Sequence, residues 1–459
     1  MTALDRYQRM VRKVQADARI PALSVALHRA DRPLWTLQVG TAGPDRVLDE
    51  HTQFRIGSVT KTFTAVLVLQ CRDDGLLDLD DPVGRHLDLP AHGELPIRRL
   101  LSHTAGLQRE PYGDVWDSLD VPDAHRLLAE LSRAERVLPP ARRYHYSNLG
   151  FALLGQLVAK LRRADWESVV RERILAPLGL AATAVAPDAE RAAVGWLVDA
   201  YSDHVRAEPT TDFGAVGPAA QLWSTAADMA RWAAYLADAA AVDPAGSVLR
   251  TGTLDEMRWP LTVTDEALWA AGFGLGLILV PQSTRGSAER VVHVGHDGAM
   301  PGFLAAVYGR RGGTGTPGAC GAAVLGSSGT GSAILDLPHE LLATLAEHDP
   351  ADITPWQPGD PAPPEYLSVL GRWFSEGFEF VFSWREGALR ARGADDPPGR
   401  PPAIFRPAGT DELRVVSGRE TGELLRLTRD PASGTVVRMH WATYRFTRTQ
   451  ETADGVAFR

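Results

Sequence analysis

The sequence contains few cysteines and no long hydrophobic run. Its two cysteines, Cys71 and Cys320, are too few for a disulfide framework or a four-cysteine zinc site. No stretch approaches 18 uninterrupted apolar residues, so we expect no membrane-spanning helix and no membrane partner. Residues 1–21 lack the apolar centre of a secretory signal, from which we expect a cytoplasmic protein.

Positive charge is also scarce. The chain has 48 Lys and Arg residues against 57 Asp and Glu, and its formal net charge of -9 disfavours a nucleic-acid partner. The sequence has no His-Glu-x-x-His and no His-x-His-x-Asp-His motif, so we expect neither a metal nor another cofactor. Only three lysines occur, Lys13, Lys61 and Lys160. A lysine in an apolar segment is therefore a candidate functional residue, because arginine is too basic to exchange protons readily.

The hydrophobic pattern predicts an α+β fold for most of the chain. Residues 22–40 alternate as two strands around a turn, and residues 60–73 and 149–163 have the apolar spacing of helices. Residues 272–327 contain apolar runs separated by turns, which predicts an antiparallel meander, and a helix is predicted over 332–347. We expect the hairpin and the meander to form one antiparallel sheet flanked by helices, an α/β sandwich.

A change in composition predicts a second domain. Residues 349–364 contain six prolines, which is typical of a stiff linker. Beyond them, short aromatic-rich segments alternate polar and apolar residues between frequent turns, a pattern that favours a small antiparallel barrel. The predicted organisation is a first domain over residues 1–348, a linker over 349–364 and an all-β domain over 365–459.

The first candidate motif lies at the start of the apolar helix. Ser58 and Lys61 are three residues apart, which places hydroxyl and amine on one face, one turn apart. A helix N-terminus favours negative charge on an attacking oxygen. Apolar neighbours should lower the pKa of the Lys61 amine by desolvation, so that it can accept the serine proton. The alternative for this motif alone is a surface pair without a role.

The second motif is a tyrosine and an asparagine two residues apart, ahead of the next long helix. Tyr146 and Asn148 should point into one cavity. A phenol beside a cationic lysine can ionise and serve as a base or proton relay, and an asparagine amide can bind a substrate carbonyl. The alternative is a buried tyrosine beside an asparagine that caps the helix.

The third motif, His296-Asp297-Gly298-Ala299, lies on a predicted strand of the meander. Gly298 would let another backbone segment approach closely. The amide of Ala299 could then pair with the amide of Ser58 as an oxyanion hole, with His296 as a polar wall. A histidine at a strand end is otherwise an ordinary core or surface residue.

The three motifs in this order resemble the serine β-lactamase and penicillin-binding protein superfamily. The tyrosine in the second motif makes the chain similar to class C β-lactamases, D,D-peptidases and family VIII esterases. The runs LLSHTAGL, GPAAQLWSTAADMAR and HDGAMPGF also resemble that group, and the likeness covers residues 8–345. It implies a β-lactamase/transpeptidase-like first domain. It also implies that Ser58 is the nucleophile, Lys61 its base partner, Tyr146 the proton relay to the leaving group and Asn148 a contact for the acyl side chain.

The third motif narrows the expected substrate. Many members of this superfamily carry Lys-Thr-Gly or Lys-Ser-Gly where this chain has His296-Asp297-Gly298. We expect Asp297 to place an anion where a substrate carboxylate would bind, and close like charges repel when desolvated. This expectation disfavours β-lactams and carboxypeptidase substrates and favours an ester or thioester.

The combination of this catalytic domain with a lipocalin-like barrel is similar to penicillin-binding-protein-type thioesterases. Those enzymes release and cyclise non-ribosomal peptides. The resemblance implies a peptidyl thioester or ester substrate, a transient peptidyl carrier protein as partner, and a barrel arginine near the site. Arg445 and Arg448 are the candidates, and a solvated strand face is the alternative for both.

Two other functions stay open at this point. The same fold suits a cytoplasmic esterase, D-aminopeptidase or β-lactamase-like hydrolase. The chain could instead be a binding protein on an inactive hydrolase fold, although the complete Ser-Lys-Tyr set argues against this.

Overall fold

The computed structural model describes residues 2–141, 143–264, 269–282, 291–312, 318–350, 357–397, 400–452 and 454–456. They form two compact units. The described residues of the first unit lie within Met1–Ser283 and Val291–Asp352, and those of the second lie within Ile353–Arg459. Residues 351–356 of the predicted linker lie outside the described residues.

The first unit is built on one antiparallel sheet. The strands of this unit are β1 (Ala22–Arg29), β2 (Trp35–Gly40), β3 (Phe54–Arg55), β4 (Trp196–Val198), β5 (Val205–Ala207), β6 (Trp223–Ser224), β7 (Thr262–Val263), β8 (Gly272–Phe273), β9 (Ile278–Gln282), β10 (Val291–Met300), β11 (Phe303–Arg310) and β12 (Cys320–Gly326). The main sheet has the order β2-β1-β12-β11-β10-β9-β8-β7, so the N-terminal hairpin joins the late meander through the β1–β12 pair. The expected single sheet is confirmed.

Helices cover both faces of this sheet. They are α1 (Ala3–Asp17), α2 (Thr60–Asp73), α3 (Ile97–Leu101), α4 (Val115–Ser118), α5 (Ala124–Ala129), α6 (Asn148–Arg162), α7 (Trp166–Val170), α8 (Ala176–Leu178), α9 (Gly217–Ala220), α10 (Ala226–Ala237), α11 (Ala239–Val242), α12 (Thr251–Met257) and α13 (Ala333–His348). Helices α1 and α13 pack on one face, and α2, α6 and α10 belong to the core on the other. Alternate strand residues enter these two cores: Val307 lies with α2 and α6, whereas Ala306 and Tyr308 lie with α1 and α13.

Helix α2 occupies the centre of the larger core. Every residue from Thr60 to Cys71 is buried, so the helix presents apolar or hydrogen-bonded groups in all directions. Its polar side chains find partners on neighbouring elements: Thr62 accepts from the indole of Trp232 at 2.8 Å, and Thr64 donates to Pro218 O at 2.7 Å. The helix that carries Lys61 is therefore held rigidly on all sides.

The second unit is a nearly closed barrel of sequentially ordered antiparallel strands. They are β13 (Gly371–Ser375), β14 (Phe378–Arg385), β15 (Ala388–Gly393), β16 (Ala403–Gly409), β17 (Glu412–Ser417), β18 (Leu424–Arg429), β19 (Val436–Trp441) and β20 (Tyr444–Phe446). An antiparallel bridge between Phe374 and Thr447 brings the first and last strands together. Large rings such as Trp373, Phe382 and Trp441 fill the interior. The expected all-β barrel is confirmed.

One predicted helix ends earlier than the sequence suggests. The apolar spacing of residues 97–107 predicts a helix that ends at Gly106, but α3 stops at Leu101. His103 then adopts a left-handed backbone conformation with φ of 55°, which interrupts the helix and turns the chain. Among the described residues, no helix is both long enough and apolar enough to cross a membrane.

Candidate active site

Ser58 lies in a single 3-10 turn, Gly57–Val59, that leads directly into α2. One helical turn later, the Lys61 Nζ lies 3.0 Å from Ser58 Oγ and donates to Ala219 O at 2.8 Å. The predicted pairing of hydroxyl and amine is therefore present. The contact with Ala219, which lies on α9, fixes the amine from the opposite side.

The surroundings of Lys61 favour its uncharged form. The side chain is completely buried, and this desolvation lowers the pKa of Lys61 well below its ordinary value. The nearby Glu110 carboxylate opposes the shift, and the Arg109 guanidinium adds to it. A neutral amine in contact with Ser58 Oγ can accept the serine proton, which is the chemistry of an activated nucleophile.

Tyr146 lies over the same amine. The Lys61 Nζ is 4.8 Å from the centre of the Tyr146 ring, and the phenol oxygen is buried without a well-formed hydrogen bond among the described residues. Burial raises the pKa of Tyr146 above its ordinary value, although the Ser58 hydroxyl opposes this. Burial therefore disfavours the ionised phenol that the sequence allowed, just as it disfavours the charged amine of Lys61. The structure thus places next to the Lys61 amine a buried phenol whose hydroxyl can pass a proton on.

Strand β10 runs against the turn that carries Ser58. A Cβ atom on Gly298 would lie 2.0 Å from Ile56 O and 3.3 Å from Ser58 N. A Cβ atom on Gly57 would lie 2.8 Å from Ala299 N. Glycine at both positions thus lets the backbone amides of Ser58 and Ala299 approach one another, as an oxyanion hole requires.

His296 lies on the same side of β10 as Ser58, Lys61 and Tyr146. It is buried, its ring centre is 6.1 Å from that of Tyr146, and its Nδ1 lies 2.5 Å from Asp297 O. Burial lowers the pKa of His296 to about 3. His296 is therefore a neutral polar group beside the candidate catalytic residues.

Asp297 does not face this site. It pairs in register with Ala306, whose side chain belongs to the core beneath α1 and α13. Burial raises the pKa of Asp297 to about 6, with Tyr308 and Asp336 as its other electrostatic neighbours. The expectation that Asp297 repels a substrate carboxylate beside Ser58 is wrong, because successive residues of a strand point to opposite faces. The part of the argument against carboxylate-bearing substrates that depends on repulsion by Asp297 loses its basis with it, whereas the absence of a lysine at this motif remains.

Asn148 is the first residue of α6, whereas Ser147 is the cap that accepts from Gly150 N. The Asn148 Nδ2 donates to Glu110 Oε1 at 2.7 Å, and its Oδ1 is buried with no partner among the described residues. The Glu110 carboxylate thus orients the Asn148 amide, and the Asn148 Oδ1 remains a hydrogen-bond acceptor without a partner among the described residues. It is not the helix cap that the sequence offered as an alternative.

The structure adds three residues that the motifs did not identify: His103, Arg109 and Glu110. His103 stacks on the Tyr146 ring, and the Arg109 guanidinium lies 4.8 Å from that ring centre. The only sequence signal for them is the run LLSHTAGL, followed after Gln108 by a charged Arg-Glu pair. Within the described ranges, no cluster of three or more His, Cys, Asp or Glu side chains is arranged to hold a metal ion.

Both candidate arginines belong to the barrel. Arg445 donates to Thr452 O at 2.9 Å and lies 3.7 Å from Glu451. Arg448 donates to backbone carbonyls of the segment that enters the barrel and lies 4.0 Å over the Trp373 ring. These contacts give Arg448 a structural role in the barrel. A catalytic role for either arginine stays a prediction.

Comparison with known proteins identifies a family that agrees with the geometry of this site. Residues 7–334 match the family described as Beta-lactamase, and residues 362–448 match a domain of unknown function, DUF7586. Penicillin-binding protein 4 of Amycolatopsis lactamdurans is 28% identical over 81% of this chain and 97% of that protein. The chain spans about half the length of other curated relatives that it matches.

Solved structures share the fold. The structure of SurE superposes with a TM-score of 0.59 at 23% identity, covering 97% of this chain and 99% of that one. D-amino acid amidase from Ochrobactrum anthropi SV3, complexed with L-phenylalanine amide, superposes with a TM-score of 0.60 at 26% identity, covering 76% and 98%. The family match covers well over half of the chain and contains the Ser58 site. The chain therefore belongs to the β-lactamase and penicillin-binding protein family of serine hydrolases.

Proposed function

We propose that the protein is a stand-alone thioesterase that releases a peptide from a carrier-protein thioester and closes it head to tail. The observation that carries this proposal is the completely buried Lys61 amine 3.0 Å from Ser58 Oγ, where desolvation lowers the pKa of the amine. Such a pair can form an acyl-enzyme at neutral pH and then pass the acyl group to an amine. The two-domain architecture, a catalytic unit followed by a barrel, also supports the proposal.

The first half-reaction forms the acyl-enzyme. Ser58 Oγ attacks the thioester carbonyl while Lys61 takes the hydroxyl proton, and the amides of Ser58 and Ala299 hold the oxygen that becomes negative. The carbon–sulfur bond then breaks. The leaving thiolate receives the proton by way of Tyr146, whose neutral phenol can give one proton and regain another from Lys61.

The second half-reaction decides the product. The N-terminal amine of the bound peptide attacks the ester carbonyl, the bond to Ser58 Oγ breaks, and the proton released by the amine returns to the serine. The product is then a lactam. Water in place of the amine gives a linear acid, so exclusion of water favours cyclisation.

A peptidyl thioester mimic tests the proposal. An N-acetylcysteamine thioester of a short peptide that ends in a D-residue is expected to give cyclic peptide, with the peptidyl mass transiently attached to Ser58. The D-residue is chosen because a D-amino acid amidase shares this fold at 26% identity. The thioester of the L-epimer and the variant Ser58→Ala are the controls. Slow hydrolysis of every such thioester, with no cyclic product, would contradict the proposal.

The contact between Asn148 and Glu110 favours a second candidate, hydrolysis of D-amino acid amides with a free amino group. Glu110 lies near enough to Lys61 to affect its pKa, and Asn148 Oδ1 is an unused acceptor. Both could bind a substrate ammonium. This function predicts fast turnover of D-phenylalanine amide. Turnover should be lost when the amino group of that substrate is acetylated, and it should be reduced in the variant Glu110→Gln. These three results together would select this function over the cyclase.

A further inference from the structure

His103 contacts the backbone on both sides of Tyr146. Its carbonyl oxygen accepts from His145 N at 2.8 Å, and its ring Nδ1 accepts from Ser147 N at 3.1 Å. Its imidazole also stacks on the Tyr146 ring, with centres 4.4 Å apart and planes inclined by 28°. A single residue therefore holds the amide before the tyrosine, the amide after it and the ring itself.

Tyr146 has few other means of keeping its position. The segment from Tyr144 to Ser147 lies outside helices and strands, so no regular hydrogen-bond ladder fixes it. The Tyr146 hydroxyl has no well-formed hydrogen bond among the described residues. Apart from the nearby Ser58 hydroxyl, the direction of the phenol over Lys61 therefore depends on contacts to the neighbouring backbone and to the faces of the ring.

His103 is itself held firmly. It is 2% exposed, and the left-handed turn at this residue directs both its carbonyl and its ring towards the Tyr146 segment. Phe151 and Phe273 lie against the imidazole, with ring centres at 5.1 and 6.2 Å. Burial lowers the pKa of His103 well below its ordinary value, which keeps Nδ1 free to accept.

We propose that His103 is a positioning residue for the proton relay: its backbone, its Nδ1 acceptor and its ring fix Tyr146 over Lys61. His103 acts through Tyr146 and takes no part in bond making itself. The proposal rests on the serine hydrolase site and is independent of whether the natural substrate is a peptidyl thioester or an amino acid amide.

Two substitutions separate the contribution of the His103 ring from that of its Nδ1 acceptor. His103→Phe keeps an aromatic ring for stacking and removes the acceptor for Ser147 N. His103→Asn removes the stacking ring and keeps an acceptor atom near the position of Nδ1. Both variants leave the backbone carbonyl in place, and circular dichroism with thermal unfolding reports whether each one folds.

Leaving-group dependence distinguishes positioning of the relay from a general structural role. Phenyl acetate releases a more basic phenolate than p-nitrophenyl acetate and depends more on a proton donor. We expect His103→Phe to lower kcat/KM for phenyl acetate about tenfold more than for p-nitrophenyl acetate, because a displaced phenol donates its proton poorly. In a Tyr146→Phe background the same substitution should show no such difference between the two esters.

Equal decreases in kcat/KM for both esters in His103→Phe would overturn the proposal. The same selective decrease for phenyl acetate in the Tyr146→Phe background would also overturn it. If His103→Phe does not fold, His103→Asn is measured in the same way and is judged by the same two criteria. Neither ester is a peptide, so failure of this proposal does not depend on the outcome of the cyclisation experiment.

Discussion

Gly298 lies directly against Ile56: a Cβ atom on Gly298 would be only 2.0 Å from the Ile56 carbonyl oxygen. This contact holds β10 against the turn that carries Ser58. It therefore sets the separation of the two amides proposed to form the oxyanion hole, and it explains why a glycine is needed at a strand position where its backbone dihedrals are ordinary.

We expect Gly298→Ala to lower the rate of Ser58 acylation about a hundredfold or more, because one oxyanion donor is pushed out of position. The acylation burst with p-nitrophenyl acetate measures this. Gly252→Ala is the matched control, since a Cβ there meets nothing within 4 Å. A Gly298→Ala variant with an unchanged burst rate would show that the amides do not depend on this contact.

Replacing Lys61 with methionine should separate stability from activity. We expect Lys61→Met to lower acylation about a thousandfold by removing the base, and to raise the free energy of unfolding by about 1 kcal/mol by removing a buried amine. The pKa of Lys61 is lowered in the folded state, so the unfolded chain binds more protons below the ordinary lysine pKa. The stability of the wild type should therefore rise with pH in that range relative to the variant.

Urea unfolding of both proteins at pH 7 and pH 9 tests this difference. Lys160→Met is the control, because Lys160 is exposed on α6. A Lys61→Met protein that is less stable than the wild type, with the same dependence on pH, would mean that the amine is charged and favourably solvated in the folded state.

Asp297→Asn should alter stability and leave catalysis nearly unchanged. Burial raises the pKa of Asp297 to about 6, so the folded protein binds a proton between about pH 4 and 6 that the unfolded chain has released. The free energy of unfolding of the wild type should fall as pH rises through this range, by up to about 3 kcal/mol, and the asparagine variant should lack this fall.

Ester hydrolysis should stay within about threefold in Asp297→Asn, because the side chain lies on the opposite face of the sheet. New activity towards a carboxylate-bearing β-lactam in this variant would instead support the sequence-based idea that Asp297 repels such substrates.

Arg448→Lys should weaken the barrel. Lysine cannot reproduce the hydrogen bonds that the guanidinium makes to the carbonyls of Ser368, Leu370 and Arg372. We therefore expect the free energy of unfolding to decrease by about 1–2 kcal/mol. Arg438→Lys, at an exposed position on β19, is the control. Unchanged stability together with a reduced kcat for a peptidyl thioester would favour a catalytic role for Arg448.

Much of the fold was readable from the sequence because it depends on local patterns. Alternation of apolar residues identified the strands of the barrel and the meander, and the apolar run after Ser58 identified α2. The spacing of Ser58 and Lys61 fixed their contact, because residues three apart on a helical turn share a face. The sequence failed at residues 102–107, where apolar spacing cannot show that His103 takes a left-handed conformation.

The sequence by itself determined which residues could form a nucleophile, a base and a relay, since residue type and helical spacing are local properties. Only the tertiary structure decided that His296 faces Ser58 while Asp297 faces α13, because a shift of one residue in strand register exchanges the two faces. It also decided that burial disfavours the charged forms of Lys61 and Tyr146 and that the His103 ring stacks on Tyr146, because burial and stacking arise from segments that meet only when the chain has folded.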